Sequence, residues 1–375
     1  MNIFINARFL SQSLTGVQRV ATEFVKALDY LIETGQIDET KYSFVLLAPK
    51  NIQSELNLKQ IPIKNVGVFT GHLWEQVELP FYAKKGLLLC LCNTGPLFKR
   101  NQIVVIHDAR VFALPQSYSF AYRSWYKLLL PILGRIVKKV ITVSSFSKDE
   151  LVHYCRFNPA KIVVVCEGKE HILSTTREAA ILKKNAIGGK PYVLAVSTMT
   201  RNKNFQAIVQ AVEQIKNADF DVVIVGGKNS EVFGLAQIPL PDFVKHLGYV
   251  SDGELRVLYE QAACFVYPSL YEGFGLPPLE AMACGCPVIV SNTTSLPEVC
   301  GDATIYCDPR DPTDIASKIE QLVKDKTLQN TMRQKGLERA EQFSWVNTVQ
   351  QTLTVIEKLN RMITSQRIDD VNKCA

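Results

Sequence analysis

No stretch of this chain approaches the ~20 consecutive apolar residues that a membrane-spanning helix needs. Residues 86–92 are too few, and residues 128–133 are flanked by charges and hold Pro131. The start, Met1-Asn2-Ile3-Phe4-Ile5-Asn6, has neither the basic region nor the long apolar run of a secretory signal. Repeats of fixed period and low-complexity tracts are missing too. Zinc-type spacing is also absent. Ten cysteines include the pairs Cys90/Cys92 and Cys284/Cys286, but C-x-C inside apolar runs is not the doubled C-x-x-C of a structural zinc site. A chain of this length needs no disulfide staples, so the thiols are expected to be reduced and buried. The protein is expected to be soluble inside the cell.

What is present is ordinary for a globular enzyme: 375 residues, 47% hydrophobic and 21% charged. At ~100–200 residues per domain, two domains are the first expectation. The net charge of +6 is unevenly spread. Residues 1–185 hold 24 Lys and Arg against 14 Asp and Glu, whereas the remainder holds 18 against 22. A basic first half suits an anionic partner; nothing points to nucleic acid.

Short β-rich apolar runs alternate with amphipathic helical stretches. Residues 3–5, 42–47, 103–106, 140–143 and 162–165 read as buried strands, as do 192–196, 222–225, 264–267, 288–290 and 303–307. Such alternation implies parallel sheets with helices on both faces. A polar stretch at 173–190 containing Gly188-Gly189 is the expected linker. The division expected is one doubly wound domain over residues 1–185 and a second over 186–345. Residues 346–375 then form a helix crossing back to the first domain, and a tail. In such α/β domains ligands lie beyond the carboxyl ends of the strands, so chemistry is sought there.

The strongest signal follows the strand ending at Tyr267: Tyr271-Glu272-Gly273-Phe274-Gly275-Leu276-Pro277-Pro278-Leu279-Glu280-Ala281-Met282-Ala283-Cys284-Gly285-Cys286-Pro287. Pro277 suits a first helical position, and Gly273 and Gly275 allow backbone to approach a ligand. Free amides at a helix start suit a diphosphate. Glu272 in the loop and Glu280 in the first helical turn can accept hydrogen bonds from sugar hydroxyls. The plainer alternative is that Glu280 complements the helix dipole and Glu272 is a solvated loop charge.

This segment resembles the donor-site motif of retaining glycosyltransferases of family 4, which have the GT-B fold: two doubly wound Rossmann-like α/β domains facing across a cleft. Supporting stretches include Asn6-Ala7-Arg8-Phe9-Leu10, Cys92-Asn93-Thr94-Gly95-Pro96-Leu97, Ile106-His107-Asp108, Lys203-Asn204-Phe205 and Ser295-Leu296-Pro297-Glu298-Val299. Within the family the chain looks most like bacterial mannosyltransferases that build exopolysaccharide or O-antigen repeats on a lipid carrier. The resemblance implies a hexose moved from a GDP- or UDP-linked donor to a polyprenyl-diphosphate-linked saccharide, with configuration retained and neither cofactor nor metal required.

Residue by residue, the resemblance places Glu272 on hydroxyls of the donor sugar and Glu280 on the ribose. The backbone of Phe274, Gly275 and Leu276 would meet sugar and diphosphate. Lys203 would meet the donor phosphates; many members also have an arginine where this chain has Thr198, and Arg201 is the expected substitute. Gly16, in the capping box Thr15-Gly16-Val17-Gln18, would let the chain pass close to phosphate or acceptor, and Val250 joins the donor side. His107, directly after a strand, would contact the donor sugar near the reacting centre and could orient a hydroxyl or move a proton. Arg8, Trp74, Asn93 and Thr94 are acceptor-side candidates from family-like stretches.

Asp219-Phe220-Asp221 spells the D-x-D of metal-dependent transferases, but it precedes its strand and is expected at the wrong end of the sheet. Residues 120–140 mix aromatic and aliphatic residues with Arg123, Lys127, Arg135, Lys138 and Lys139, a pattern suited to an anionic membrane surface; the alternative is an ordinary surface helix kinked at Pro131. The expected location is the cytoplasm, with peripheral contact on the inner face of the plasma membrane. Rival readings are a nucleotide-sugar epimerase on the same fold and a GT-B-like binding subunit without catalysis.

Overall fold

The computed structural model describes residues 1–196, 201–215, 219–226 and 243–374, with backbone alone at 201 and 362–374. The chain divides into two compact units, Met1–Gly168 with Trp345–Ala375, and Lys169–Ser344. The first unit therefore ends at 168, not at 185. Residues expected as linker are instead tied into the second unit. Arg256 Nη1 donates to the carbonyls of Leu173 (2.5 Å) and Thr175 (2.8 Å), Arg177 pairs with Glu260, and Ile181 and Ile187 are buried. Polar composition there reflects a surface wrapped on a helix rather than a free tether.

In the first unit the strands are β1 (Asn2–Asn6), β2 (Ser43–Ala48), β3 (Ile63–Asn65), β4 (Leu87–Cys90), β5 (Gln102–Val105), β6 (Lys139–Thr142) and β7 (Ile162–Val164). They form a parallel sheet in the order β3-β2-β1-β4-β5-β6-β7. Both faces are covered, so side chains pointing either way are apolar. Ile3 and Ile5 pack in one core and Phe4 against the other; Leu87 and Leu89 alternate with Leu88 and Cys90 in the same way. The final helix, Trp345–Cys374, packs Val349, Val355, Ile356 and Leu359 into the first of these cores, and Thr348 donates to the Cys166 carbonyl at 2.7 Å.

In the second unit β8 (Tyr192–Val196), β9 (Asp221–Val225), β10 (Val244–Gly248), β11 (Cys264–Tyr267), β12 (Val288–Ser291) and β13 (Ile305–Cys307) form a parallel sheet ordered β10-β9-β8-β11-β12-β13. In each sheet the strand order reverses once, between β1 and β4 in the first and between β8 and β11 in the second. These reversals open the crevices where α/β sheets bind ligands.

The D-x-D lies at the amino end of β9. Asp221 pairs with Lys245 (2.7 Å) and Asp219 with Lys190 (3.1 Å), on the side opposite the carboxyl ends. The helix Phe120–Ile136 runs through Pro131 and turns Tyr126, Leu129, Leu130, Leu133 and Gly134 inward, so its apolar face packs on the sheet. Phe120 and Leu128 stay outside, 73% and 60% exposed. No helix among the described residues is long and apolar enough to cross a membrane. Nine cysteines among the described side chains are free, and burial pushes the Cys264 thiol up to about 12, which leaves it inert near neutral pH.

Candidate active site

The second unit presents the denser constellation. After β8 the chain makes a turn at Arg201–Lys203, and after β11 it enters the loop 268–275, so Lys203 and Glu272 flank the strand-order reversal. Lys203 Nζ donates to Glu272 Oε1 at 2.6 Å and to the Tyr267 hydroxyl. Glu272, 9% exposed, also accepts from Ser269 Oγ at 2.5 Å.

The loop is built rather than loose. Ser295 Oγ, on the segment after β12, bonds the carbonyls of Glu272 (3.0 Å) and Phe274 (2.8 Å), and Leu270 N donates to the Asn202 carbonyl at 2.7 Å. Asn204 adopts φ 56° and ties the Lys203 turn to the Pro268 carbonyl at 3.0 Å. Gly275 has φ 114°, and a Cβ there would stand 2.7 Å from Leu296 Cδ2. Only glycine fits that position without strain.

The helix Leu276–Ala283 begins immediately after, with Leu276 first and Pro277 and Pro278 next. Pro277 is thus the second residue, and two of the usual first-turn donors are missing. The amides of Phe274, Gly275 and Leu276 donate to no carbonyl among the described residues, so these amides and the helix dipole are the groups that an anion could meet there. Phe274 itself is buried edge-on against Phe343, which leaves its backbone, not its ring, for a ligand.

Glu280 lies in the second turn, not the first, so it is no simple complement to the dipole. It is 8% exposed. His171 Nε2 lies 2.7 Å from its Oε1, and the Tyr259 hydroxyl donates to Oε2 at 3.2 Å. Burial and the carboxylate push the Tyr259 phenol far above its usual range, so it remains a donor. Val250 is half-buried after the edge strand β10, and no hydrogen bond among the described residues joins it to Lys203 or Glu280. Thr198 and the Arg201 side chain lie outside the described residues.

In the first unit, the carboxyl ends of β1 and β4 carry a buried polar network. Glu75 Oε1 accepts from Asn6 Nδ2 (2.8 Å), Arg8 Nε (3.2 Å) and Thr94 Oγ1 (2.9 Å), while His72 meets Oε2 at 3.3 Å. Arg8 Nη2 also donates to Thr94 Oγ1 at 3.0 Å. Burial pushes the Glu75 carboxyl up, but Arg8, His72 and Asn6 outweigh it and hold the group below its ordinary value. Arg8 and Thr94 are 6% and 1% exposed, so they brace this carboxylate rather than line an open acceptor surface. Trp74 is fully buried with its indole N–H on the Val66 carbonyl (2.8 Å), and it presents nothing to a ligand. Asn93, with φ 61°, accepts from the His107 amide at 2.8 Å through Oδ1.

His107 departs from the proton-transfer role expected of it. Nδ1 lies 3.1 Å from Glu167 Oε1 and Nε2 lies 3.0 Å from the Leu91 carbonyl. Both partners accept, so both ring nitrogens carry protons and neither is left for a ligand. Burial pushes the ring toward neutrality, but the Glu167 hydrogen bond and charge and the Leu91 carbonyl raise its pKa overall. Gly16 opens the helix Gly16–Glu33 with open space where a Cβ would stand, and Thr15 bonds Gln18 side chain to side chain, so the capping box does not form.

Sequence reasoning missed Glu75, Glu167 and His171. Glu167 follows the end of β7, a placement like the one that singles out His107, whereas His171 lies in the helix Glu170–Leu173 and Glu75 in the segment Trp74–Glu78, without such a cue.

Residues 177–339 match the family described as glycosyl transferases group 1. The O-antigen chain mannosyltransferase B of Escherichia coli is 33% identical over 68% of this chain and 70% of its own length. The O-antigen chain mannosyltransferase RfbU of Salmonella typhimurium is 28% identical over 85% of this chain and 90% of its own. In fold, the chain is similar to Anabaena HepE in complex with UDP-glucose, with TM-score 0.71 and 16% identity over 95% of this chain and 99% of that one. Two parallel Rossmann-like units with these neighbours define a GT-B protein. The chain belongs to the group 1 glycosyltransferases and is a glycosyltransferase.

Proposed function

We propose that the protein transfers a hexose, mannose by analogy with its relatives, from a nucleotide diphosphate sugar to a lipid-linked saccharide during cell-surface polysaccharide synthesis. The observation that carries this reading is the Lys203–Glu272 pair at the β8/β11 reversal, beside amides of residues 274–276 that no described carbonyl takes. The donor diphosphate takes the Lys203 ammonium and the loop amides, Glu272 accepts hydroxyls of the hexose, and Glu280 accepts those of the ribose. Fixed donors aimed at the departing diphosphate stabilise the charge that develops there. Compensation is assigned to Lys203, the amides and Arg201, not to a metal, because the D-x-D is tied to lysines at the other end of the sheet. His107 enters as a held cation ordering the end of β5. The new bond is proposed to form on the face the diphosphate leaves, so that configuration is retained.

The basic first unit is assigned to the acceptor. Exposed Phe120 and Leu128, with Arg123 and Lys127 on the same helix, support peripheral contact with an anionic bilayer. Sedimentation with vesicles containing anionic lipid should carry the protein down, and Phe120→Ser with Leu128→Ser should weaken this; failure to sediment with anionic vesicles would remove the membrane from the account.

The epimerase and binding-subunit readings are not favoured, since the relatives carry mannosyltransferase names and the Lys203–Glu272 pair is intact. A thermal-shift screen of nucleotide sugars tests the donor assignment: a ligand of the folded state raises the melting temperature. GDP-mannose or a UDP-sugar should stabilise the protein, and much less so Glu280→Ala. No shift with any nucleotide would overturn it.

A further inference from the structure

Glu280 is a buried carboxylate on a helix whose neighbouring side chains, Leu279, Ala281 and Met282, are buried and apolar. A carboxylate in such surroundings must be met by donors. Here each oxygen has one: His171 Nε2 at 2.7 Å on Oε1 and the Tyr259 hydroxyl at 3.2 Å on Oε2. Neither hydrogen bond exhausts its oxygen, because a carboxylate offers about four lone-pair sites. The remaining sites suit two adjacent hydroxyls.

His171 is itself held. It is 5% exposed and sits in the short helix Glu170–Leu173, whose end is fastened by Arg256. Tyr259 is fully buried, edge-on to Phe265, which stacks on Tyr267, the residue that receives Lys203. The partners of Glu280 are therefore less mobile than a glutamate with three free side-chain torsions.

We propose that His171 is a positioning residue of the donor site: by fixing Glu280 Oε1 it sets the carboxylate against the vicinal hydroxyls of the nucleotide ribose and makes binding depend on them. This rests on the assignment of Glu280 to the ribose. It predicts selection for ribonucleotides over their deoxy counterparts, with Tyr259 as the second brace.

Binding of GDP and UDP to the full chain, each beside its 2′,3′-dideoxy analogue, tests it by calorimetry. For the nucleotide that binds, the wild type should prefer the ribose form by ~10-fold or more, as hydrogen bonds to a charged group are worth. Glu280→Gln should bring the preference close to one. His171→Leu should cut it to within about two- to threefold while leaving affinity for the dideoxy form unchanged, and His171→Gln, whose amide can donate, should restore part of it. If His171→Leu does not fold, His171→Gln against Glu280→Gln carries the comparison: an intermediate preference supports the proposal and an unaltered one overturns it. Wild-type preference in His171→Leu, or equal loss for both ligands, also overturns it. Should the wild type itself show no preference, the ribose assignment of Glu280 fails and the proposal with it. A preference that Glu280→Gln removes and His171→Leu keeps defeats the positioning role alone.

Discussion

Lys203 and Glu272, from opposite sides of the strand-order reversal in the second sheet, meet through an ion pair of 2.6 Å. Both side chains are largely buried, at 16% and 10% exposure, so the pair is screened less than a surface bridge. On the proposed donor site, a diphosphate arriving there would compete with the carboxylate for the ammonium, and its success would release Glu272 to accept sugar hydroxyls. One exchange would thus link phosphate recognition to sugar recognition.

Removing either partner should therefore be costly in different ways. Lys203→Ala is expected to lower kcat/KM by about 10²–10³, the scale of losing one preorganised charge at a developing anion. Glu272→Gln should lower it too, but with affinity for the free nucleoside diphosphate kept or increased, because the competitor for Lys203 is gone. Steady-state kinetics with product inhibition by the diphosphate separates the two. Parallel loss of nucleotide affinity in both variants would contradict the exchange.

Gly275→Ala tests the loop. The new methyl meets Leu296 Cδ2 at a position with φ 114°. Strain of about 1–3 kcal/mol is expected, together with displaced amides at 274–276 and weakened nucleotide binding. Thermal melts with and without nucleotide should show a lower Tm and a smaller ligand-induced rise. A normal rise would mean that these amides do not hold the phosphates.

Arg8→Leu should destabilise the first unit by about 3–5 kcal/mol at neutral pH, as removal of one partner from a buried ion pair does. Against the upward push of burial, Arg8, His72 and Asn6 lower the Glu75 pKa in the folded chain. Its contribution is accordingly present above the unfolded value near 4.5 and is lost as pH falls through the folded one. Urea unfolding should show the gap between wild type and variant shrinking below about pH 4. A small, pH-independent gap would refute the network's role.

Glu167→Gln probes the other buried pair. The His107 pKa is raised above 6.5, so its charged form stabilises the fold fully below that value and the benefit fades as pH rises through the folded one. Wild type should lose stability on going from pH 6.5 upward, and the variant, lacking the carboxylate, should lose less. Identical slopes in Tm against pH would show His107 to be neutral throughout.

How much was legible in advance follows from how local each signal is. Strands buried on both faces, such as β1, β8 and β11, stand out as apolar runs, and the Glu272–Glu280 segment carries its glycines and prolines in sequence. The edge strands β3 and β10, with Lys64, Lys245 and His246 in them, have one open side and need no such run. β4 was visible only as an apolar stretch, since nothing in Leu87–Cys90 says which neighbours it pairs with. The partners of Glu280 and His107 were hidden for another reason. His171 is separated from Glu280 by 109 positions and Glu167 from His107 by 60, and only the crossing of strands brings them together. Burial of Arg8, Trp74 and Thr94 was likewise unreadable, because a family-like stretch does not tell bracing residues from exposed ones.

The central claim is transfer itself. Purified protein incubated with GDP-mannose or a UDP-sugar and a polyprenyl-diphosphate-linked saccharide should release nucleoside diphosphate only when the acceptor is present, with the donor's anomeric configuration kept in the product by NMR, and Lys203→Ala should slow release by about 10²–10³. Consumption of donor at the same rate without acceptor, or an inverted product, would contradict the account.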